Sequence, residues 1–481
     1  MPTVDDSEQR RRQRELADKI TSYAPLDEIR ILLACGAQGN AQVTQGLRPL
    51  HYAVYSNYLE CVKLLLVRGS DLNAIDEVGY SALHLSAEHG NLELLRLLLS
   101  HNAKVNFTEN DPLDPFPKAK QSEDPLRLAI KNGHYDCAQL LLENGADSNA
   151  RYFLGHDISL IPATDTRFLH LLLAYGADPN TYDREGLTPL MRSARNRDGY
   201  DAVQLLLDYG ADPNALALAR QDMRTPLHYA ILSSNAKLVS LLLNHGAQIN
   251  MIDGYDKPAP LDLAVLRDQP EIIQMLIEAG GDPNAVYTYI GSPLHLACCS
   301  ELKHQWEIME LLLKAGGNPN LCPEFGEAVL KSPVVEYFRT RDNPDVAILR
   351  LLLAYGAEIV LKSPLVHPRG ILRNLLRVHD KPEIFELLLE ASQEPCKEAV
   401  DRLNLPIRRR MYLQAFVSTP RTLKHLSRVH IRKSLVPMNP EKVDCLPIPE
   451  RLKKYLLYDY TDCSTFCFPS FRAISDDTGE L

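Results

Sequence analysis

No stretch of this chain approaches the roughly 18 consecutive apolar residues that a membrane-crossing helix requires. The first fourteen residues, Met1 to Arg14, hold no apolar core and do not read as a secretory signal. A general excess of positive charge is missing too. The 52 Lys/Arg stand against 62 Asp/Glu, a balance of −10, which is the wrong sign for displacing counterions from a nucleic acid. No Gly-rich phosphate loop, Gly-x-Ser-x-Gly turn or His-Glu-x-x-His pair occurs. The ten cysteines are scattered, several of them in helical patterns (Cys61, Cys137, Cys298). Neither Cys298-Cys299 nor Cys463-Ser-Thr-Phe-Cys467 has a second pair at zinc-site spacing. These absences predict a cytoplasmic or nuclear protein with reduced thiols, no metal or cofactor, no nucleic-acid partner and no membrane insertion.

What is present is a repeat. The 481 residues, 45 % hydrophobic and 24 % charged, are too many for one ordinary core. A five-residue ending recurs from Gly36-Ala-Gln-Gly-Asn40 to Gly356-Ala-Glu-Ile-Val360. Gly176-Ala-Asp-Pro-Asn180 and Gly210-Ala-Asp-Pro-Asn214 are its clearest copies, and successive endings lie 33, 33, 43, 31, 34, 36, 34, 36 and 40 residues apart. A leucine triplet precedes nearly every ending, as in Leu171–Leu173 and Leu205–Leu207. About ten residues after most endings comes a second landmark: Arg48-Pro-Leu-His-Tyr-Ala53, Ser81-Ala-Leu-His-Leu-Ser86, Thr225-Pro-Leu-His-Tyr-Ala230 and Ser292-Pro-Leu-His-Leu-Ala297. Weaker copies place Arg127, Met191 and Asp262 at the histidine position.

Each unit has a physical logic. Ser or Thr caps a helix, Pro takes the first helical position where its missing N–H does no harm, and Leu and Ala face inward. The triplet belongs to a second, antiparallel helix that the following Gly stops in a left-handed C-cap. One such pair cannot bury its apolar face alone, but stacked copies can. The pattern resembles the ankyrin repeat over roughly residues 27–390. That resemblance implies an all-α ankyrin-repeat solenoid of about ten to eleven repeats spanning 27–392, behind a charged leader at 1–26. The Pro-rich insertion at 107–123 is expected to leave the stack as a loop. The repeat from Tyr152 to Asn180 lacks a capping motif and should have a short first helix. Ser332-Pro-Val-Val-Glu-Tyr337 and Ile384-Phe-Glu-Leu-Leu-Leu-Glu390 read as degenerate closing repeats. His51, His84, His228 and His295 are expected to bond turn backbone rather than act as ligands or bases.

After Ala391-Ser-Gln-Glu-Pro395 the period is lost, and the charge inverts. Between Asp401 and Tyr460 thirteen Lys/Arg face five Asp/Glu, leaving −18 for the rest of the chain. The run Arg408-Arg-Arg410 reads as a solvated helix face. Residues 419–435 predict one amphipathic helix with Thr419 as N-cap and Pro420 in its first turn. Leu423, Leu426, Ser427, His430, Ile431 and Leu435 form one stripe, with Arg421, Lys424, Arg428 and Arg432 on the other faces. Leu446-Pro-Ile-Pro449 should be extended, because each Pro disfavours helix in the residue before it. A short helix should follow with Leu452, Tyr455 and Leu456 on one face.

This end resembles a SOCS box, and the whole chain is similar to the ankyrin repeat and SOCS box family. The resemblance implies a three-helix SOCS box at 396–460, with an elongin-binding box at 419–435, a cullin box at 443–458, and a polar tail at 461–481. It places the elongin contacts at Thr422, Leu423, Leu426, Ser427 and Ile431, with Val429 or Leu435 as alternative aliphatic positions. Leu423 would enter an apolar pocket on elongin C. Ser427 stands where the family usually has Cys, and its hydroxyl could bond back to the Leu423 carbonyl. The cullin contacts would be Leu446, Pro447, Ile448, Pro449, Leu452 and Tyr455. The implied partners are elongin C, elongin B, cullin-5 with its RING subunit, and a target protein.

The implied function is non-catalytic: a substrate-recognition adaptor that holds a target near a charged conjugating enzyme and so promotes its ubiquitination and degradation. The alternative is an ankyrin scaffold whose C-terminus merely caps the stack. An enzyme is disfavoured, since subtracting repeats and C-terminal box leaves too little chain for a catalytic domain. Tyr80, Tyr182, Tyr255, Tyr287 and Tyr289 fall near predicted turn tips and are candidate target contacts.

Overall fold

The computed structural model describes residues 4–107, 123–152, 155–252, 255–287, 289–326, 328–341, 343–362, 367–372, 374–376, 378, 380–392, 407–418 and 422–459. Nearly all of the 107–123 insertion and the whole of the 461–481 tail lie outside them. Regular structure among the described residues is helical except for two short antiparallel hairpins, Arg151–Tyr152 with Gly155–His156 and Glu324–Phe325 with Ala328–Val329. The chain divides into two units: Met1–Ser233 with Asn244–Ala247, and Ser234–Leu243 with Gln248–Leu481.

The first unit is built from short helix pairs: Pro49–Tyr55 with Leu59–Val67, Ala82–Glu88 with Leu92–Ser100, Pro125–Lys131 with Tyr135–Glu143, and Pro189–Arg195 with Tyr200–Asp208. The leucine triplets fill its core; Leu172 and Leu206 have no exposed surface, and each such side chain contributes about 2 kcal/mol by leaving water. In the repeat without a capping motif, a single 3-10 turn at Asp157–Leu160 replaces the first helix before Thr166–Ala174. Val4–Thr21 is a helix packed on Leu26–Ala34 and Pro49–Tyr55, burying Leu16, Ala17 and Ile20. It covers the end of the stack.

The second unit continues the pattern with Pro260–Leu266 and Pro270–Glu278, Pro293–Cys299 and Gln305–Lys314, Pro333–Thr340 and Val346–Ala354. After a 3-10 turn at Asn374–Leu376 comes Pro382–Ala391, and then the helices Ile407–Ser418, Leu423–Ser434, Pro440–Asp444 and Glu450–Leu456.

The terminal Asn of each ending explains why the spacing is held. Asn180 Nδ2 donates to the Gly210 carbonyl (3.2 Å), and its Oδ1 accepts from Asp212 N (2.8 Å). Asn40, Asn106 and Asn149 in the first unit and Asn250, Asn284 and Asn320 in the second repeat both bonds. One amide thus satisfies a donor and an acceptor of the next turn. Val360 has no amide to offer, and the ladder stops there. Val360 instead bridges Gly370, and Ile359 bridges Ser392, both in parallel.

The histidines behave as backbone partners. Nδ1 of His84 accepts from Ser81 N (3.0 Å) and Nδ1 of His295 from Ser292 N (3.1 Å), while His51 Nε2 meets the Tyr80 carbonyl (3.2 Å) and His295 Nε2 the Lys331 carbonyl (3.1 Å). Nδ1 must be bare to accept, so Nε2 carries the proton and the ring is neutral. Burial pushes His84 and His295 down to about 4 and lowers His51. Where the histidine is replaced, the repair is specific. Arg127, 1 % exposed, pairs with fully buried Asp157 (3.0 Å) and lies 4.2 Å from the Tyr152 ring centroid, whose hydroxyl donates to Asp124 (3.1 Å). Asp262 accepts from Ala259 N (3.1 Å) through Oδ2, while Oδ1 is buried without a partner. Burial raises this carboxyl to about 7.

Candidate protein-interaction site

The C-terminal module is small, and its own core is modest. Met438, Val443 and Leu456 form the centre, with Leu435, Leu446, Ile448 and Leu457 packed around it. Leu446-Pro-Ile-Pro449 is bent rather than extended, because Ile448 N donates to the Leu446 carbonyl (2.8 Å) across Pro447. That turn aims Leu446 and Ile448 at the core and leaves Pro447 and Pro449 exposed.

The helix expected from Thr419 begins at Leu423. Thr422 is its N-cap, its hydroxyl accepting from His425 N (3.2 Å), and 419–421 lie outside the described residues. Its orientation is the reverse of an ordinary amphipathic helix. Leu423 is 81 % exposed, Leu426 52 % and Ile431 37 %, with Ser427 and His430 exposed between them. Ser427 Oγ makes no bond to the Leu423 carbonyl, contrary to expectation, and simply lies in this face. The basic side is the one turned inward. Arg428, 1 % exposed, has its guanidinium carbon 3.6 Å from the Tyr455 ring centroid and 4.4 Å from that of Tyr458. It pairs with Glu390 (2.7 Å) of Pro382–Ala391. Arg432 donates to the Leu456 carbonyl (2.6 Å) and to the Leu353 carbonyl. The apolar stripe is left to solvent because the arginines, with two tyrosines to stack on, are the residues that pack.

The expected site residues therefore separate. Leu423, Leu426, Ser427 and Ile431 share one open face, with Thr422 capping beside it. Of the second group, Pro447, Pro449 and Leu452 are exposed, Leu446 and Ile448 are half-buried, and Tyr455 is buried beneath Arg428 and Lys424. Tyr455 is thus a core residue of the free chain, and burial raises its pKa. Among the tyrosines of the repeats, Tyr255 is buried against Tyr287 and is no surface residue. Tyr287 bonds Met251 N (3.0 Å), Tyr80 stacks on His84, and Tyr182 donates to the Leu216 carbonyl (2.9 Å). Tyr289, 78 % exposed, stands beside Phe325 at 5.0 Å. Two features escaped sequence reasoning, the inward arginines and the Phe325 partner of Tyr289. Both arise from pairings across 24 residues or more, which no local pattern announces. Cys463 and Cys467 lie outside the described residues. No metal-holding group of His, Cys, Asp or Glu occurs among the described residues, and none of their helices is long and apolar enough to cross a membrane.

Comparison with known proteins bears on the repeats and on the C-terminal module. Ankyrin-repeat family models match residues 32–83, 68–152, 161–253, 215–287 and 292–323, and the SOCS box model matches 419–457. Ankyrin repeat and SOCS box protein 16 of Mus musculus is 30 % identical over 367 residues, covering 71 % of this chain and 75 % of that protein. The chain belongs to the ankyrin repeat and SOCS box family. Another member, ankyrin repeat and SOCS box protein 6 of Homo sapiens, is 26 % identical over 385 residues, covering 75 % of this chain and 77 % of the relative. Membership of the ankyrin repeat and SOCS box family implies an adaptor subunit that brings a substrate to a cullin-RING ubiquitin ligase.

Proposed function

We propose that this chain is the target-recognition subunit of an elongin B/C–cullin-5–RING ligase. Elongin C occupies the face of Leu423, Leu426, Ser427 and Ile431, with Thr422 holding the helix start. Cullin-5 meets Pro447, Pro449 and Leu452, while Leu446, Ile448 and Tyr455 shape that surface from behind. The observation that carries the reading is the exposure of Leu423 and Leu426. In a module that only capped the repeats, the apolar stripe would face inward and the arginines outward. Target capture falls to the ankyrin repeats, with Tyr289 and Tyr182 the most exposed of the five candidate tyrosines. The chain itself carries out no chemistry; holding target and ligase together raises the effective concentration of a target lysine near the ubiquitin thioester. Co-purification of the full chain with elongins B and C, wild type against Leu423→Pro, tests the reading. Binding by the wild type and loss in the variant support it; no binding by either removes it.

A further inference from the structure

The basic side of helix Leu423–Ser434 does more than fill space, because it joins the SOCS box to the last repeats. Arg428 lies between the rings of Tyr455 and Tyr458 from the SOCS box and pairs with Glu390 from helix Pro382–Ala391 at 2.7 Å. One turn on, Arg432 lies 4.8 Å from the Tyr458 centroid and reaches the carbonyl of Leu353, which also accepts from Gly356 N (3.0 Å) at the end of Val346–Ala354. Met438 packs at Gly356, where a side chain would come within 3.0 Å of it. These contacts differ in kind from apolar packing. A greasy interface of this size tolerates sliding, whereas a planar guanidinium held between two rings and one carboxylate has a single satisfactory orientation.

We infer that Arg428 is a positioning residue: clamped by Tyr455 and Tyr458 and paired with Glu390, it fixes the angle between the repeats that hold a target and the face that holds the ligase. The inference rests on the adaptor reading. It adds that the clamp decides which lysines are reached, since a rigid arm confines the ubiquitin thioester to a small volume and a loose arm spreads it. Tyr455 then contributes to ligase geometry from inside the chain, by holding Arg428, rather than by touching a partner.

The test uses the full chain bound to elongins B and C. Glu390→Lys sets a like charge against Arg428 while leaving the SOCS box's own arginine–tyrosine stack in place, and Glu390→Gln removes the charge with little change of shape. Spin labels at Glu383 and Ser434, both exposed, report the angle as a distance distribution. Peptide mapping of ubiquitin on the chain's own lysines, in a reconstituted cullin-5 ligase, reports reach. The wild type should give one narrow distance and few modified lysines. Glu390→Lys should broaden the distance and at least double the number of modified lysines, with elongin affinity changed less than twofold; Glu390→Gln should do the same to a smaller degree. The inference is overturned if the distribution stays narrow in both variants, if it is already broad in the wild type, or if it broadens while the lysine pattern is unchanged. A wild type that does not bind elongins would instead sink the adaptor reading, and the distances would still report on the clamp.

Discussion

Shortening Leu423 to alanine should weaken elongin C binding by about 30-fold and leave the fold alone. The side chain is 81 % exposed, so the free chain gives up almost no packing when it is trimmed. Docking into an apolar pocket would take that area out of water. Leu423→Ala deletes about three methylene equivalents at about 0.8 kcal/mol each. Scaled by the exposed fraction, the deficit is about 2 kcal/mol, which is ~30-fold in Kd. Isothermal titration calorimetry of the full chain with the elongin B/C pair measures it, and the wild type should show the more negative heat-capacity change that accompanies apolar burial. Thermal melting is the control. Leu413, fully buried in helix Ile407–Ser418, provides the contrast, since Leu413→Ala should lower the melting temperature. A Kd altered less than twofold by Leu423→Ala refutes the reasoning. So does a melting temperature that drops as far as it does for Leu413→Ala, because Leu423 would then be packed within the chain.

The capping residues make opposite predictions with pH. His84 and His295 have folded values near 4, below the unfolded value of about 6.5. Their stabilisation is therefore present above about pH 6.5 and lost as pH falls; lowering pH from 7.5 to 5.5 should cost about 1.3 kcal/mol per histidine, read as a falling melting temperature that His295→Gln makes shallower. Asp262, raised to about 7, destabilises progressively as pH climbs above its unfolded value of about 4. Asp262→Asn should therefore stabilise by on the order of 4 kcal/mol at pH 8 and do little at pH 4; equal gains at both would show that charge is not the cause. Arg127→Ala removes the ion-pair partner of fully buried Asp157 and should cost about 3–5 kcal/mol, whereas an effect under about 1 kcal/mol in calorimetry would mean that water replaces the pair.

How much was legible before any coordinates follows from which forces are local. Gly at the C-cap, Pro at the first helical turn and the leucine triplet act within one unit, and ten copies in register left little doubt about the repeat. The SOCS box was legible through the order of Leu423, Leu446-Pro-Ile-Pro449 and Tyr455. The direction in which the helix faces was not, because a pattern shows that one side is apolar but not that Arg428 has Tyr455, Tyr458 and Glu390 waiting for it. The docking of the leader was not legible either, because its arginines outnumber Leu16, Ala17 and Ile20, the residues it buries. Asp157 could not be paired with Arg127 from sequence, with 30 residues and a missing helix between them.

Each asparagine staple reaches no further than the adjoining turn. A whole copy can therefore be gained or lost among the repeats without altering any bond beyond its immediate neighbours, and the surface the repeats present is free to change in length and character over evolution. From the last turn of Val346–Ala354 onward the opposite holds, since Leu353, Gly356, Glu390, Met438 and the two tyrosines are joined directly through Arg428, Arg432 and their neighbours. The protein is open to revision along its repeats and closed to it where the last of them meets the SOCS box.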